Sequence, residues 1–349
     1  MSSVGNECHR LSALRTGIVI GLPGVRLPES IDLAAQAEAA KLDLVAAGEG
    51  VTENFAVVGA LAQRTKRVEL VTSVVHWTRT PVTFALGAST LAALSGGRFR
   101  MGLGTSPRNV SERWYDISYE RPVERLRDLA AAIRAAWAAS PGSPVSYEGP
   151  FYRISSYEHQ LPDWAPVPLY FGVTRPGAIE LAGEVGDGVV FNLMLSLDWL
   201  IGHALPALDR GLVLGGRTRG DIDVGALAIA AVSDDPDEAR ELARPGIGFY
   251  FSVPYLAPLL DFHGFGEELE RGSAAWAARD EAGMTAAVTN RMVDALSLAG
   301  TPEQIAHKLE HYAEHMDFVE LMPPLGHPRE VTIEQTQRII ATLAEVKHT

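Results

Sequence analysis

The sequence has little that would suit a secreted or membrane-embedded protein. It contains a single cysteine, Cys8, which has no partner for an internal disulfide and therefore indicates a reducing compartment. No stretch approaches the roughly 18 uninterrupted apolar residues of a membrane-spanning helix, and residues 1–14 lack the apolar centre of a signal peptide. We therefore expect a cytoplasmic protein without a membrane partner.

Positive charge is also scarce. The chain has 30 Lys and Arg residues against 43 Asp and Glu residues, which gives a net charge of −13. Proteins that bind a phosphate backbone present basic patches, so a nucleic-acid partner is excluded and a small-molecule substrate is expected. The 47% of hydrophobic residues is ordinary for a globular protein and suffices for a large core.

The most informative stretch is residues 95–106, which read SGGRFRMGLGTS. Gly96 and Gly97 are suited to the positive φ angles that end a helix. Large apolar residues then alternate with arginine or glycine, a period of two that predicts a strand. Because the residues at the far end of this strand are small, a ligand or another chain segment can approach the backbone there.

Apolar runs of strand length recur along the chain and alternate with helical patterns, the first helix being predicted to start at Ser30. The runs are residues 16–23, 44–47, 67–75, 99–104, 167–173, 187–192, 224–232 and 318–322. Eight such units predict an α/β fold, a (β/α)8 TIM barrel. We expect a flexible leader, 1–15, and a single domain, 16–349, with insertions near 145–160 (a hairpin) and 240–298 (broken helices).

Catalytic residues of such a barrel lie where the strands end, at their carboxyl termini. The residues selected by this rule carry few charges, and Glu49 and His76 are the clear titratable ones beside Arg108 and Arg175. A nucleophile with a paired base or a set of metal ligands is not apparent among them. The sequence therefore predicts a site in which a bound cofactor supplies the difficult chemistry and no metal is held.

Four segments carry a resemblance to a known family. They read GLGTS at 102–106, LYFGVTRP at 169–176, AGEVGDGV at 182–189 and TPEQI at 301–305. In this order and at this spacing they resemble the bacterial luciferase-like superfamily of flavin and deazaflavin enzymes. The resemblance implies a luciferase-like TIM barrel that assembles as a homodimer.

Within that superfamily the sequence looks most like the branch that depends on coenzyme F420, a deazaflavin. Residues 71–75 (VTSVV), with Pro81 beyond them, resemble the strand in which those enzymes place a non-proline cis peptide behind the deazaflavin ring. By that resemblance the cis bond is expected between Ser73 and Val74. Residues 248–255 and 261–266 resemble a helix-rich insertion beside the substrate pocket of some of these oxidoreductases.

The resemblance also implies which residues contact the cofactor, with the small residues making room for its flat ring and Arg175 pairing with its phosphate. The expected cofactor-binding residues are Ser73, Val74, Gly104, Thr105, Ser106, Gly172, Val173, Thr174 and Arg175. FMN is the alternative cofactor.

Two residues are candidates for proton transfer. His76 follows the predicted cis bond, and its ordinary pKa near 6.5 suits either donation or acceptance of a proton. Glu49, at the end of the second strand, is the other candidate, either holding a proton or binding the cofactor's pyrimidine edge. Trp77, Tyr250 and His263 are expected to bind substrate. The histidines at 307, 311 and 315 recur on one helix, but its Glu and Lys content favours a solvated face over a metal site.

Sugar-phosphate dehydrogenases of this branch have a histidine after the second strand and a glutamate after the glycine-rich strand. Here those places read Gly48-Glu49-Gly50 and Ser106-Pro107-Arg108, so that substrate is not expected. The function implied is a hydride transfer between F420 and a small organic substrate, as reduction of an activated C=C or C=N bond. An FMN-dependent monooxygenase with a separate reductase and a non-catalytic ligand-binding barrel are the alternatives.

Overall fold

The structure, a computed structural model, describes residues 11, 13–50 and 52–347, and the chain divides into two compact units. The first unit runs to Leu44 and continues with Phe191–Pro206 and the residues from Val224 onward. The second comprises Val45–Val190 and Ala207–Asp223. Most of the predicted leader lies outside the described residues, but Arg15 already belongs to the first strand, one residue before the predicted domain start.

The strands of the described residues, in chain order, are β1 (Arg15–Ile20), β2 (Leu44–Ala47), β3 (Glu69–His76), β4 (Phe99–Gly104), β5 (Val145–Glu148), β6 (Arg153–Tyr157), β7 (Leu169–Val173), β8 (Gly188–Phe191), β9 (Asp223–Val232), β10 (Ser297–Gly300) and β11 (Phe318–Met322).

The helices are α1 (Leu27–Ala39), α2 (Asn54–Arg64), α3 (Pro81–Ser95), α4 (Arg108–Trp114), α5 (Pro122–Trp137), α6 (Pro176–Val185), α7 (Leu197–Trp199), α8 (Leu205–Leu214), α9 (Pro236–Phe249), α10 (Ala257–Phe262), α11 (Gly266–Ala278), α12 (Glu281–Ala287), α13 (Asn290–Leu296), α14 (Pro302–Ala313) and α15 (Arg329–Val346). A π-helical segment, Leu200–Ala204, joins α7 to α8, and short 3-10 turns occupy Arg219–Asp221, Tyr250–Ser252 and Pro254–Leu256.

The strands of the first unit are parallel and follow the order β10-β9-β11-β1. The first half of β9 pairs with β11, and its second half pairs with β10. The sequence had predicted broken helices near 240–298, and the structure differs at the end of this segment, where strand β10 begins at Ser297. The strand follows directly on α13, so no turn residue marks the change, and four residues are too few to show a period.

The second unit is organised around parallel strands in the order β2-β3-β4-β7-β8. Strands β2 and β8 are buried along their whole length, as expected where a parallel sheet is covered on both faces. The predicted hairpin is confirmed: β5 and β6 are antiparallel and form a separate two-stranded sheet. Because β2, β3, β4 and β7 are neighbours and parallel, the loops that follow them emerge at the same edge.

The glycine turn at residues 96 and 97 ends α3 as predicted. Gly96 and Gly97 have φ angles of 65° and 83°, values that a residue with a side chain adopts only at a cost. Strand β4 then runs to Gly104, and α4 follows within the loop. The sequence had not indicated this helix.

The first helix begins earlier than predicted. It starts at Leu27 with Pro28 in its first turn, and Glu29 accepts hydrogen bonds from the backbone and side chain of Arg26. Ser30, the predicted capping residue, therefore lies inside the helix and is buried. No helix of the described residues is long and apolar enough to cross a membrane.

Candidate active site

The irregular part of β3 is at Ser73 and Val74. The pairing of β3 with β4 is regular up to Thr72 and resumes at Val75 with a shifted register. The Ser73–Val74 peptide bond is cis, which confirms the prediction. Thr72 fixes the start of the irregularity, because its hydroxyl accepts a hydrogen bond from Gly102 N (2.9 Å) and donates one to Gly102 O (3.0 Å).

The Val74 side chain lies against a glycine of the neighbouring strand, β4, and a glycine of β7, the next strand beyond it. A Cβ atom placed on Gly104 would lie 2.6 Å from Val74 Cγ2, and one on Gly172 would lie 2.3 Å from Val74 Cγ1. Both distances are far shorter than a carbon–carbon contact, for which about 3.5–4.0 Å is optimal. The room that was expected to admit a flat cofactor directly is therefore filled by Val74, and this is the side chain that the glycines accommodate.

Glu49 is buried in an ion pair between the loops that follow β2 and β3. Its Oε2 accepts hydrogen bonds from the backbone N–H of His76 (2.8 Å) and from Arg79 Nη1 (3.0 Å), and its Oε1 accepts one from Arg79 Nη2. Only 4% of the Glu49 side chain is exposed. Both carboxylate oxygens are thus engaged with donors of the protein, an arrangement suited to holding the two loops together.

His76 is the candidate catalytic residue whose polar atoms are least engaged. Its Nδ1 is buried and has no hydrogen-bond partner among the described residues. Burial lowers the pKa of His76; Glu49 opposes this effect and Arg79 adds to it. The imidazole is therefore neutral at pH 7, and one of its ring nitrogens has no partner among the described residues.

Trp77 is buried and has partners within the protein. Its side chain is 1% exposed, its Nε1 donates a hydrogen bond to Ser111 Oγ (2.9 Å), and its ring packs on Tyr119 at 5.1 Å. These contacts give Trp77 a structural role, as is common for a large aromatic ring after a strand end, and its predicted substrate-binding role stays a prediction.

The two polar residues that end the glycine-rich strand also have protein partners. Thr105 Oγ1 lies 3.0 Å from the hydroxyl of Tyr119, and Ser106 Oγ lies 2.5 Å from Ser111 Oγ. Ser106 has a φ of 62°, which is uncommon for a residue with a side chain. Since Ser111 and Tyr119 also contact Trp77, these hydrogen bonds connect the start of the loop after β4 with the Trp77 side chain.

The end of β7 leads into the amino terminus of α6. Val173 is buried, Thr174 is half-buried, and Arg175 is the exposed residue preceding the first turn of the helix. A Cβ on Gly177 would lie 3.7 Å from Val123, so the first turns of α6 and α5 are neighbours. Two helix amino termini, each with partial positive charge, and Arg175 make this edge favourable for an anion.

Comparison with known proteins identifies the family. The model of the family described as luciferase-like monooxygenase matches residues 11–317. The chain belongs to this family. A methylenetetrahydromethanopterin reductase of Archaeoglobus fulgidus is 28% identical to the chain over 74% of its length and 78% of the relative. A putative coenzyme F420-dependent oxidoreductase of Mycobacterium tuberculosis is 30% identical over 68% of the chain and 73% of the relative.

Solved structures share the fold. The F420-dependent tetrahydromethanopterin reductase of Methanopyrus kandleri superposes with a TM-score of 0.81 at 23% identity, covering 93% of this chain and 97% of that one. A Baeyer–Villiger monooxygenase of Pseudomonas putida in complex with FMN gives a TM-score of 0.68 at 18% identity, covering 95% and 98%. The predicted fold class, a luciferase-like (β/α)8 barrel, and the resemblance to the F420 branch are confirmed.

Two residues predicted to bind substrate in this luciferase-like chain belong to the first unit. His263 Nε2 lies 2.7 Å from Ser196 Oγ, and burial lowers the pKa of His263. Tyr250 lies in a 3-10 turn, and burial raises the pKa of its hydroxyl. The other predicted residues, from Glu49 to Arg175, lie in the second unit at the strand ends described above.

Sequence reasoning missed several residues that organise the second unit's site. Arg79 pairs with Glu49, Ser111 joins Trp77 to Ser106, and Arg125 lies over the Trp77 ring at 5.2 Å. These three residues lie further along the loops and helices, beyond the strand ends to which the rule for TIM barrels points. Opposite charges in the loops after two neighbouring strands were the available signal for Arg79.

The histidine helix shows no sign of a metal site. His307 Nδ1 lies 3.0 Å from Glu310, and the rings of His307 and His311 are 4.9 Å apart, edge to face. Among the residues that the structure describes, no group of three or more His, Cys, Asp or Glu side chains is arranged to hold a metal ion.

A shallow, open depression of the second unit lies away from these residues, at the amino-terminal end of β7. It is lined by Arg134, Trp137, Ala138, Pro166, Val167, Pro168 and Asp187. Its charged groups pair with each other, Arg134 with Asp187 at 3.2 Å. Catalysis in TIM barrels takes place at the opposite, carboxyl-terminal ends of the strands, so we do not regard this depression as the active site.

Proposed function

We propose that the protein is a coenzyme F420-dependent oxidoreductase that transfers a hydride between the deazaflavin and a small organic substrate, reducing an activated C=C or C=N bond. The names of its relatives support the choice of cofactor. The observation that carries the proposal is the buried, neutral His76, whose Nδ1 lacks a hydrogen-bond partner among the described residues and which lies two residues after Val74 on β3.

The residues present fit a deazaflavin. Val74, seated on Gly104 and Gly172, offers an apolar surface for a flat ring, and the backbone of Ser73 and the hydroxyls of Thr105 and Ser106 offer polar contacts. Val173, Thr174 and Arg175 would hold the phosphate at the amino terminus of α6. When bound, the deazaflavin supplies the two electrons of the reaction as a hydride.

His76 is the residue that we propose for proton transfer. Because the imidazole is neutral at pH 7, its Nδ1 can accept the proton that the reduced C–C or C–N bond releases when the hydride returns to the cofactor in the oxidising direction. In the reducing direction the protonated form returns that proton. Glu49 keeps the His76 backbone in place through the 2.8 Å hydrogen bond and is thus a positioning residue in this proposal. Substrate binding by Tyr250 and His263 stays a prediction.

A binding comparison tests the proposal. Purified protein is titrated into coenzyme F420 and into FMN while the fluorescence of each is followed. We expect F420 to bind more tightly than FMN. In a screen of enones and imines, we expect reduced F420 to be consumed, and His76→Gln to slow this consumption. The exposed variant Arg153→Gln is the control, because its ion pair with Glu148 lies in the hairpin. Binding of FMN without binding of F420 contradicts the proposal.

An FMN-dependent monooxygenase is the second candidate, favoured by the fold shared with the FMN-containing Pseudomonas putida enzyme. Reduced FMN reacts readily with oxygen whereas the reduced deazaflavin does so poorly, so substrate-dependent oxygen uptake with reduced FMN would favour this candidate. Affinity for a ligand without turnover of either cofactor would favour the non-catalytic barrel. Assembly as a homodimer stays a prediction, which light scattering tests.

A further inference from the structure

Arg79 connects the loop after β2 with the loop after β3. We propose that Arg79 is a positioning residue: it fixes the buried carboxylate of Glu49 and, through that carboxylate, the backbone and electrostatic surroundings of His76. The inference rests on the proposed function only in so far as His76 takes part in proton transfer.

The guanidinium group of Arg79 bridges two carboxylates. It donates to both oxygens of Glu49 and to Glu53 Oε1. The other oxygen of Glu53 caps α2 by accepting a hydrogen bond from Ala56 N (2.7 Å). Arg79 therefore joins the start of α2 to the one carboxylate that holds the His76 backbone N–H.

Aromatic rings hold the guanidinium in this place. Its central carbon lies 5.2 Å from the ring centre of Phe55 and 5.8 Å from that of Phe84, and 15% of the side chain is exposed. A planar fork that stacks on rings and binds a carboxylate with two N–H groups is specific to arginine. A lysine at this position would keep the positive charge, but its ammonium group would not bind both oxygens of a carboxylate with two parallel N–H groups.

The pairing also balances the charges that act on His76. The negative charge of Glu49 favours the protonated imidazole, whereas the positive charge of Arg79 disfavours it. The two charges are in contact and act on the pKa of His76 in opposite directions, while burial, the largest effect, keeps the ring neutral. Without Arg79, Glu49 would be an unpaired buried carboxylate beside His76 and would attract a proton to the imidazole.

The test measures the pKa of His76 by NMR titration of the histidine ring protons in the full chain without cofactor, with His76→Gln used to assign the signal. In Arg79→Gln we expect the pKa of His76 to rise above its ordinary value of 6.5, an upward shift of about one unit or more. In Arg79→Lys the pKa should stay below that value. In the double variant Arg79→Gln with Glu49→Gln, the pKa of His76 should not rise, because the negative charge of the Glu49 carboxylate is absent.

The matched control is Arg240→Gln, since Arg240 also bridges two carboxylates, Asp237 and Asp294, and it should leave the His76 titration unchanged. A loop that merely loosens would let water reach His76 and bring its pKa toward 6.5 but not above. A folded Arg79→Gln protein whose His76 pKa stays at or below the ordinary value therefore overturns the inference. If Arg79→Gln does not fold, Arg79→Lys is used instead, and a His76 pKa above the ordinary value in that variant overturns the inference.

A second measurement uses the proposed activity. With F420, Arg79→Gln should lower kcat by about 10- to 100-fold, the scale of a small misplacement of a reacting group, while the affinity for F420 stays unchanged. A loss of F420 affinity with unchanged kcat would contradict the positioning role. If the unmodified protein shows no turnover with F420, the proposed function fails, and the His76 titration still decides the role of Arg79.

Discussion

The side chain of Val74 occupies the place that a side chain on Gly172 would need. A Cβ on Gly172 would lie 2.3 Å from Val74 Cγ1, although the two residues are on strands β3 and β7, which are separated by β4. Val74 therefore reaches across the glycine of the intervening strand. The glycines are required by a neighbouring side chain and not by a turn, which explains why φ is ordinary at Gly104 and Gly172.

Gly172→Ala should destabilise the protein by about 1–3 kcal/mol, because the added methyl group overpacks the contact with Val74. Urea unfolding measures the change. Gly59→Ala is the matched control. Gly59 lies in α2, and a Cβ there would meet the Leu91 side chain at an ordinary 3.7 Å, so the free energy of unfolding should rise by up to about 1 kcal/mol. Adding Val74→Ala to Gly172→Ala should recover part of the loss; additive effects of the two changes would contradict direct contact.

Much of the fold was predictable because its signals are local. Apolar runs mark the buried parallel strands, and Gly96-Gly97 marks the end of α3. The location of the candidate site followed from the strand ends alone, and the cis bond at Ser73 followed from the family resemblance. Strand β10 was missed because four residues directly after a helix carry no periodic signal.

The partners of the site residues were not predictable from sequence. Arg79 and Glu49 are 30 residues apart and meet only because two parallel strands are neighbours. The glycines at 104 and 172 suggested space for a ligand, and only the direction of the Val74 side chain shows what fills it. Such pairings depend on the directions of side chains in loops, and a single sequence contains no periodic pattern that predicts these directions.

Asp128→Asn should destabilise the hairpin insertion. The buried carboxylate accepts hydrogen bonds from the Tyr147 hydroxyl (2.5 Å) and from the backbone N–H groups of Phe151 (2.8 Å) and Tyr152 (2.9 Å). An amide has one accepting oxygen, so at least one donor loses its partner, at a cost of about 1.5–3 kcal/mol. Urea unfolding and proteolysis of the 145–157 segment measure the loss.

The control for this prediction lies in the same hairpin. Glu148 pairs with Arg153 while both side chains are more than two-thirds exposed, at 73% and 71%. Glu148→Gln should therefore change the stability by less than about 0.5 kcal/mol. Equal stability losses in Asp128→Asn and Glu148→Gln would show that burial of the Asp128 carboxylate is not what anchors the hairpin.

His76 should make the protein less stable as the pH falls. Burial lowers the pKa of His76 in the native state, whereas the unfolded chain titrates near the ordinary value of 6.5. Below that pH the unfolded chain takes up a proton that the native protein does not bind, so the free energy of unfolding decreases until the native pKa is reached. Above pH 6.5 this effect is absent.

His76→Gln removes this proton uptake. The difference in unfolding free energy between the unmodified protein and His76→Gln should therefore shrink steadily as the pH is lowered from above to well below 6.5. Urea unfolding at several pH values measures it. A difference that stays constant over this range would mean that the imidazole titrates alike in the native and unfolded states, and it would remove the argument that His76 is held neutral.

Arg175→Gln should weaken the binding of coenzyme F420 by about tenfold, equivalent to about 1.4 kcal/mol, if Arg175 and the amino terminus of α6 hold the phosphate. The loss should shrink at high salt, which screens an exposed charge. The matched control is Arg153→Gln, since Arg153 is exposed and lies in the hairpin.

The decisive comparison uses the deazaflavin chromophore without its phosphate. Its affinity should not depend on Arg175, because a ring seated at Val74 makes no demand on that charge. An equal loss of affinity for both ligands would contradict a contact between Arg175 and the phosphate, and it would mean that Arg175 maintains the shape of the site.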